Sequence, residues 1–176
     1  MSLALPLHII PNWHAVIVHF PVALLITAAA LGVASRLFSN SSFGSDLYKV
    51  ARWNLWLGTV AAVFAVVTGL HAYQTVNHDP AGHLAMTVHM RWAFLTLSLS
   101  LLVAIITIFG RYSNNRPGLI ITALLLSVGL SISVTGYLGG ENVYRHGLGV
   151  MHMPAMEEDE ESADHNHHNH HNHHNH

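Results

Sequence analysis

AMTVHMRWAFLTLSLSLLVAIITIF, residues 85–109, holds one cation, Arg91, and one imidazole, His89, both near its start, followed by eighteen residues without a charge. About 20 apolar residues suffice for a helix to cross a hydrocarbon layer of about 30 Å. Three further runs have the same character, residues 12–37, 50–73 and 118–138. The pattern predicts four transmembrane helices. The connections between them, residues 38–49, 74–84 and 110–117, are short, which favours an all-α, antiparallel up-and-down bundle. Residues 1–150 are thus expected to form one four-helix transmembrane domain, and residues 151–176 a disordered tail rich first in Met and His, then in acidic residues, then in His and Asn.

Composition supports lipid as the solvent. The 176 residues are 51% hydrophobic and 9% charged, too few charges to coat a water-soluble globule on all sides. Six of the nine acidic residues lie at Glu157, Glu158, Asp159, Glu160, Glu161 and Asp164, so the body before them is sparsely charged and mildly basic. An ordinary cytosolic enzyme is excluded, and so is a nucleic-acid binder, which needs a dense cationic face. The absence of Cys excludes disulfides, thiolate zinc sites, cysteine-held iron–sulfur clusters and covalent c-type haem. There is no G-x-S-x-G turn and no H-E-x-x-H pair, so hydrolytic chemistry has no anchor.

The first run could be mistaken for a signal peptide. Residues 1–11 hold no Lys or Arg, however, and the run itself is too long for a signal core, so it is expected to stay in the mature protein. Arg36, Lys49, Arg52, Arg111 and Arg116 fall at the ends joined by the first and third connections, against Arg91 and Arg145 at the other end. Cations are retained in the cytoplasm during insertion. Both termini are therefore expected outside, in the periplasm if the chain sits in a bacterial inner membrane.

Histidine is distributed in the opposite sense. His8, His14, His19, His71, His78, His83, His89, His146 and His152 all map to the outer end of the bundle. Imidazole tolerates a headgroup region, which is explanation enough for a loop residue such as His78. His19 and His89 are expected a turn or two inside their helices, where an ionisable side chain needs a partner and a functional site is the default reading. At 100° per residue His89 shares a face with Met86, Ala93, Thr96 and Ser100, and His19 with Ala23, Ile26 and Ala30; both stripes are expected to look inward. His71 lies above Trp53, Val60, Phe64 and Val67, while Gly58, Ala62, Ala65 and Gly69 form a separate small-residue face suited to close packing. Gly129, Ser133, Gly136 and Gly140 make a comparable stripe on the fourth helix. Pro21, lacking an N–H, is placed to kink the first helix next to His19. The glycine-punctuated segment 139–150, carrying Glu141, Tyr144, Arg145 and His146, is expected to fold back over the bundle mouth.

The chain resembles a bacterial membrane-protein family known as domain of unknown function 2231. The resemblance rests on His14 followed by Val18-His19-Phe20-Pro21, on Gly58-Thr59 and Thr68-Gly69, and on Gly139-Gly140 followed by Val143-Tyr144-Arg145-His146-Gly147 and Gly149-Val150. It covers residues 10–150 and implies a four-helix membrane domain without an established activity.

Three functions are compatible with these residues. In a b-type cytochrome, one or two non-covalent haems take axial imidazoles from two helices at equal depth. His19, His71 and His89 form the ligand pool, with His14 or His146 available for a second haem and Arg91, Tyr144 and Arg145 near the propionates. Such a protein would relay electrons from a quinol or to a periplasmic carrier, as a subunit of a larger oxidoreductase complex rather than a complete enzyme; Trp13, Trp92, Tyr73 and Tyr137 could line the cavity. The second function is handling of copper, zinc or nickel. Met151, His152 and Met153 combine thioethers and imidazole suited to copper, and Met86 and Met90 flank His89. His165, His167, His168, His170, His171, His173, His174 and His176 would also bind divalent metals, whether the tail is native or an expression tag. The third is a structural membrane subunit.

Overall fold

A computed structural model describes residues 13–76, 79–109 and 117–149. The first span consists of a single turn, α1 (His14–Ile17), and α2 (His19–Leu37); the second is α3 (Ser42–Thr75), the third α4 (Pro80–Phe109) and the fourth α5 (Leu119–His146). Each span is long and apolar enough to cross a membrane. Among the described residues the protein is all-α, a membrane protein with four candidate spanning helices, as the hydropathy pattern predicts. The tail from residue 150 onward lies outside the described residues.

Local chemistry sets the ends of the helices and makes three of them longer than their apolar runs. Ser41 caps α3, its hydroxyl accepting from the Gly44 N–H at 3.2 Å, so the helix begins eight residues before the run starting at Val50. Asp79 does the same for α4, its carboxylate accepting from the Gly82 N–H at 2.7 Å, with Pro80 at the first helical position, where its missing N–H costs nothing. Residues 139–146 do not fold back over the mouth. They continue α5 to His146, and the helix stops only at Gly147, whose φ of 59° suits glycine. A helical glycine costs about 1 kcal/mol, a smaller penalty than leaving backbone groups unpaired near the hydrocarbon. The break between α1 and α2 falls at Val18, where Pro21 withholds the N–H that the Ile17 carbonyl would otherwise accept.

The first span packs against the second and the fourth, and the third against the same two; the diagonal pairs make no close backbone approach. Leu25, Tyr48, Leu55, Val103, Ile121 and Leu125 fill the centre of this ring. Glycines bring neighbouring helices together. A Cβ on Gly58 would lie 2.8 Å from Leu25 Cδ2, and one on Gly129 2.5 Å from Ala29 Cβ. Large apolar side chains face outward, including Phe64, Phe109 and Leu119, as lipid contact requires.

Candidate functional site between His14 and His89

His14 opens the first span and His89 lies nine residues into α4, so the two come from diagonally opposed spans. Their rings meet at the end of the bundle where the first span begins, with centroids 6.3 Å apart and planes at 73°. Each ring is tied to the next span in the chain. His14 Nδ1 lies 3.0 Å from the Ala65 carbonyl and 3.4 Å from Thr68 Oγ1; His89 Nδ1 lies 3.1 Å from the Thr135 carbonyl. A carbonyl oxygen only accepts, so Nδ1 carries a proton in both rings, and in the neutral imidazole the lone pair is then on Nε2. This is the arrangement in which a histidine ligates a metal through Nε2 while a backbone carbonyl fixes its tautomer and tilt.

Glycine makes room for both rings. A Cβ at Gly69 would stand 2.9 Å from His14 Cε1, and one at Gly139 would stand 3.2 Å from His89 Cε1. Below His89 a buried hydroxyl cluster locks α4 to α5. Thr135 donates to the Ser131 carbonyl at 2.9 Å, so its oxygen accepts from Thr96 at 2.9 Å, and Thr96 in turn accepts from Ser131 at 2.7 Å. The cluster fixes the register that places the Thr135 carbonyl beside His89.

The remaining sequence candidates lie elsewhere. His19 is exposed, its Nδ1 3.3 Å from the Val16 carbonyl in its own turn. Ala23, Ile26 and Ala30 are exposed with it, whereas Pro21, Leu25, Ala28, Ala29 and Gly32 are buried, so the His19 stripe looks outward. Hydropathy cannot choose between faces that are equally soluble in lipid; the choice falls to packing of small residues. The His89 stripe does face inward, with Thr96 and Ser100 buried. His71 is exposed beside Val67 and Phe64. Of the fourth-helix stripe, Gly129 is buried, Gly140 half-buried, and Ser133 and Gly136 exposed.

Arg91 is exposed, and Tyr144 is 94% exposed. Arg145 pairs with Glu141 at 3.1 Å. His146, half-buried, ends α5. Met86 and Met90 are half-buried on the helix that carries His89. Trp13 and Tyr137 are exposed and Trp92 is half-buried, while the Tyr73 hydroxyl lies 3.1 Å from His83 Nε2 and 3.2 Å from Thr87 Oγ1. Met151, His152, Met153 and the eight tail histidines from His165 to His176 lie outside the described residues. No group of three or more His, Cys, Asp or Glu able to hold a metal occurs among the described residues. The roles of Ala65, Gly69, Thr135 and Gly139 against the rings escaped the sequence reading. A backbone carbonyl has no residue-type signature, and the small-residue face holding Ala65 and Gly69 pointed to helix packing rather than to a ring.

A profile of membrane-protein sequences described as "Predicted membrane protein (DUF2231)" matches residues 11–152. The chain belongs to this family. The match takes in both histidines and both glycines that cradle them, so the whole site lies within the DUF2231 region. Neither curated proteins nor solved structures provide a match.

Proposed function

We propose that this DUF2231 protein is a b-type cytochrome of the membrane, binding haem between His14 and His89 and relaying electrons. The observation that carries the reading is the pair of facing imidazoles, each with its Nδ1–H held by a backbone carbonyl of the adjacent span. The ligand count favours haem over a bare ion. Two imidazoles complete the axial set of a haem iron, whereas a structural zinc needs four protein ligands.

Bound haem would supply one-electron chemistry at the outer side of the membrane. His14 and His89 would hold it through Nε2, Gly69 and Gly139 leave space beside the rings, and the surrounding apolar spans keep water out. We place both termini outside, on the distribution of Arg36, Lys49, Arg52, Arg111 and Arg116 against Arg91 and Arg145 in the sequence. With a site at the outer rim, a quinol in the membrane or a carrier in the periplasm of a bacterial inner membrane is the partner class to test, within a larger oxidoreductase complex or alone.

The test is an optical spectrum of the detergent-purified chain expressed with haem available. We expect a Soret band and, after dithionite, an α-band. His14→Ala and His89→Ala should each abolish the bis-histidine spectrum, while His19→Ala and His71→Ala leave it unchanged. A colourless protein, or a spectrum that survives both of the first two substitutions, overturns the proposal. Met86 and Met90 beside His89 favour copper as the second reading, since thioether and imidazole together suit Cu(I). A colourless protein that takes up copper, and loses it with His89→Ala after removal of residues 157–176, would establish that reading instead.

A further inference from the structure

The two histidines occupy environments that match position for position. His14 bonds the Ala65 carbonyl and packs on Gly69, four residues further along α3; His89 bonds the Thr135 carbonyl and packs on Gly139, four residues further along α5. A shift of 75 positions carries His14 onto His89, and a shift of 70 carries Ala65 and Gly69 onto Thr135 and Gly139.

The same two shifts relate the burial patterns along the whole of the spans. Pro21, Leu25, Ala28, Ala29 and Gly32 are buried in the first span, and Thr96, Ser100, Val103, Ala104 and Thr107, each 75 positions on, are buried in the third. Leu55, Gly58, Thr59, Ala62 and Ala65 are buried in the second, and Leu125, Val128, Gly129, Ile132 and Thr135, each 70 positions on, are buried in the fourth. The neighbour relations obey the same exchange. Swapping the first span with the third and the second with the fourth leaves every packed pair packed and both diagonals open.

We infer that the chain is two copies of one histidine-bearing helical hairpin, and that Gly69 and Gly139 are equivalent positioning residues of a site on the axis relating them. This rests on the haem reading for the identity of the occupant, and it adds a stoichiometry of one group per chain. A site on the axis uses one histidine from each hairpin and exists once. His19, His71 and His83 lie on outward or rim positions and do not form a second facing pair among the described residues. The hairpins differ in their hydroxyls. Thr68, beside His14, corresponds to Leu138, and the Thr96 that anchors the cluster below His89 corresponds to Pro21. The common core of the repeat is therefore the histidine, the carbonyl and the glycine.

The experiment compares Gly69→Ala and Gly139→Ala with Gly136→Ala and Gly140→Ala in the full chain. At Gly136 an added Cβ meets only Val22, at 3.9 Å, and at Gly140 it meets nothing within 4 Å. Alanine favours a helix over glycine, so the controls should be neutral or stabilising. Saturation with haem should reach one per chain. Gly69→Ala and Gly139→Ala should each weaken haem binding by about tenfold, the scale of an overpacked contact, and each should shift the low-spin ferric signal that reports axial-ring orientation.

Two haems per chain, or a loss confined to one of the two glycines, overturns the inference. A chain that takes up no haem ends the cofactor reading but still decides the repeat through the melting temperature of the cofactor-free protein. Equal drops for Gly69→Ala and Gly139→Ala against unchanged controls sustain the repeat, and a drop in one or in neither overturns it.

Discussion

Thr135 illustrates how one residue joins packing to the site. Its carbonyl accepts from His89, while its hydroxyl sits between Thr96 and the Ser131 carbonyl. Thr96→Val keeps the shape of the side chain and removes the centre of this cluster. Polar contacts between membrane helices contribute on average about 0.6 kcal/mol and at most about 1.7 kcal/mol. We expect Thr96→Val to lose that much stability, measured by unfolding in mixed micelles, and Ser98→Ala, on the exposed side of α4, to lose none. At this scale the sequence was informative about His89, whose face carries the threonine and serine, and misleading about His19. Both histidines sit near the start of an apolar run, and only the neighbouring helices distinguish a ring facing protein from one facing lipid.

At the scale of the elements, close approach is achieved at a few glycines, with different consequences when they are filled. A Cβ on Gly44 would run into the backbone carbonyl of Phe38, which cannot rotate away as a side chain can. Gly44→Ala should therefore open the turn between α2 and α3 and cost about 1–3 kcal/mol, seen as a lower melting temperature. Gly118→Ala, with nothing within 4 Å of the added carbon, should leave it unchanged. The opposite end of the second and third spans from the histidine pair is held differently. The Trp56 indole N–H donates to Thr107 Oγ1 at 3.0 Å, and the Arg52 guanidinium lies over the Trp56 ring, 4.9 Å from its centroid. The apolar runs located the four elements, yet α3, α4 and α5 extend beyond them. Hydropathy marks the part of a helix that meets hydrocarbon, while caps such as Ser41 and Asp79 mark where the backbone spiral begins.

At the scale of the molecule, topology is open to direct measurement, because the chain has no Cys and a single introduced thiol reports alone. If both termini lie outside, as we propose, Ser41→Cys in the first connection should react only with reagent supplied from the cytoplasmic side, and Gly147→Cys after the last helix only with reagent from the exterior. The reverse pattern would turn the histidine pair to face the cytoplasm and remove the periplasmic carrier from the list of partners.

Four lipid-crossing helices, their order and the enrichment of imidazole at one rim were determined by the sequence alone. Those properties depend on the solvent each residue meets, and hydropathy encodes solvent directly. Which imidazoles meet was decided by the tertiary structure. His14 and His89 are 75 positions apart on diagonal spans, and their juxtaposition depends on neighbouring spans brought together by glycine contacts and on the Ala65 and Thr135 carbonyls that aim the rings. A carbonyl is common to every residue and a glycine contributes by what it lacks, so neither could announce its role before the helices were packed.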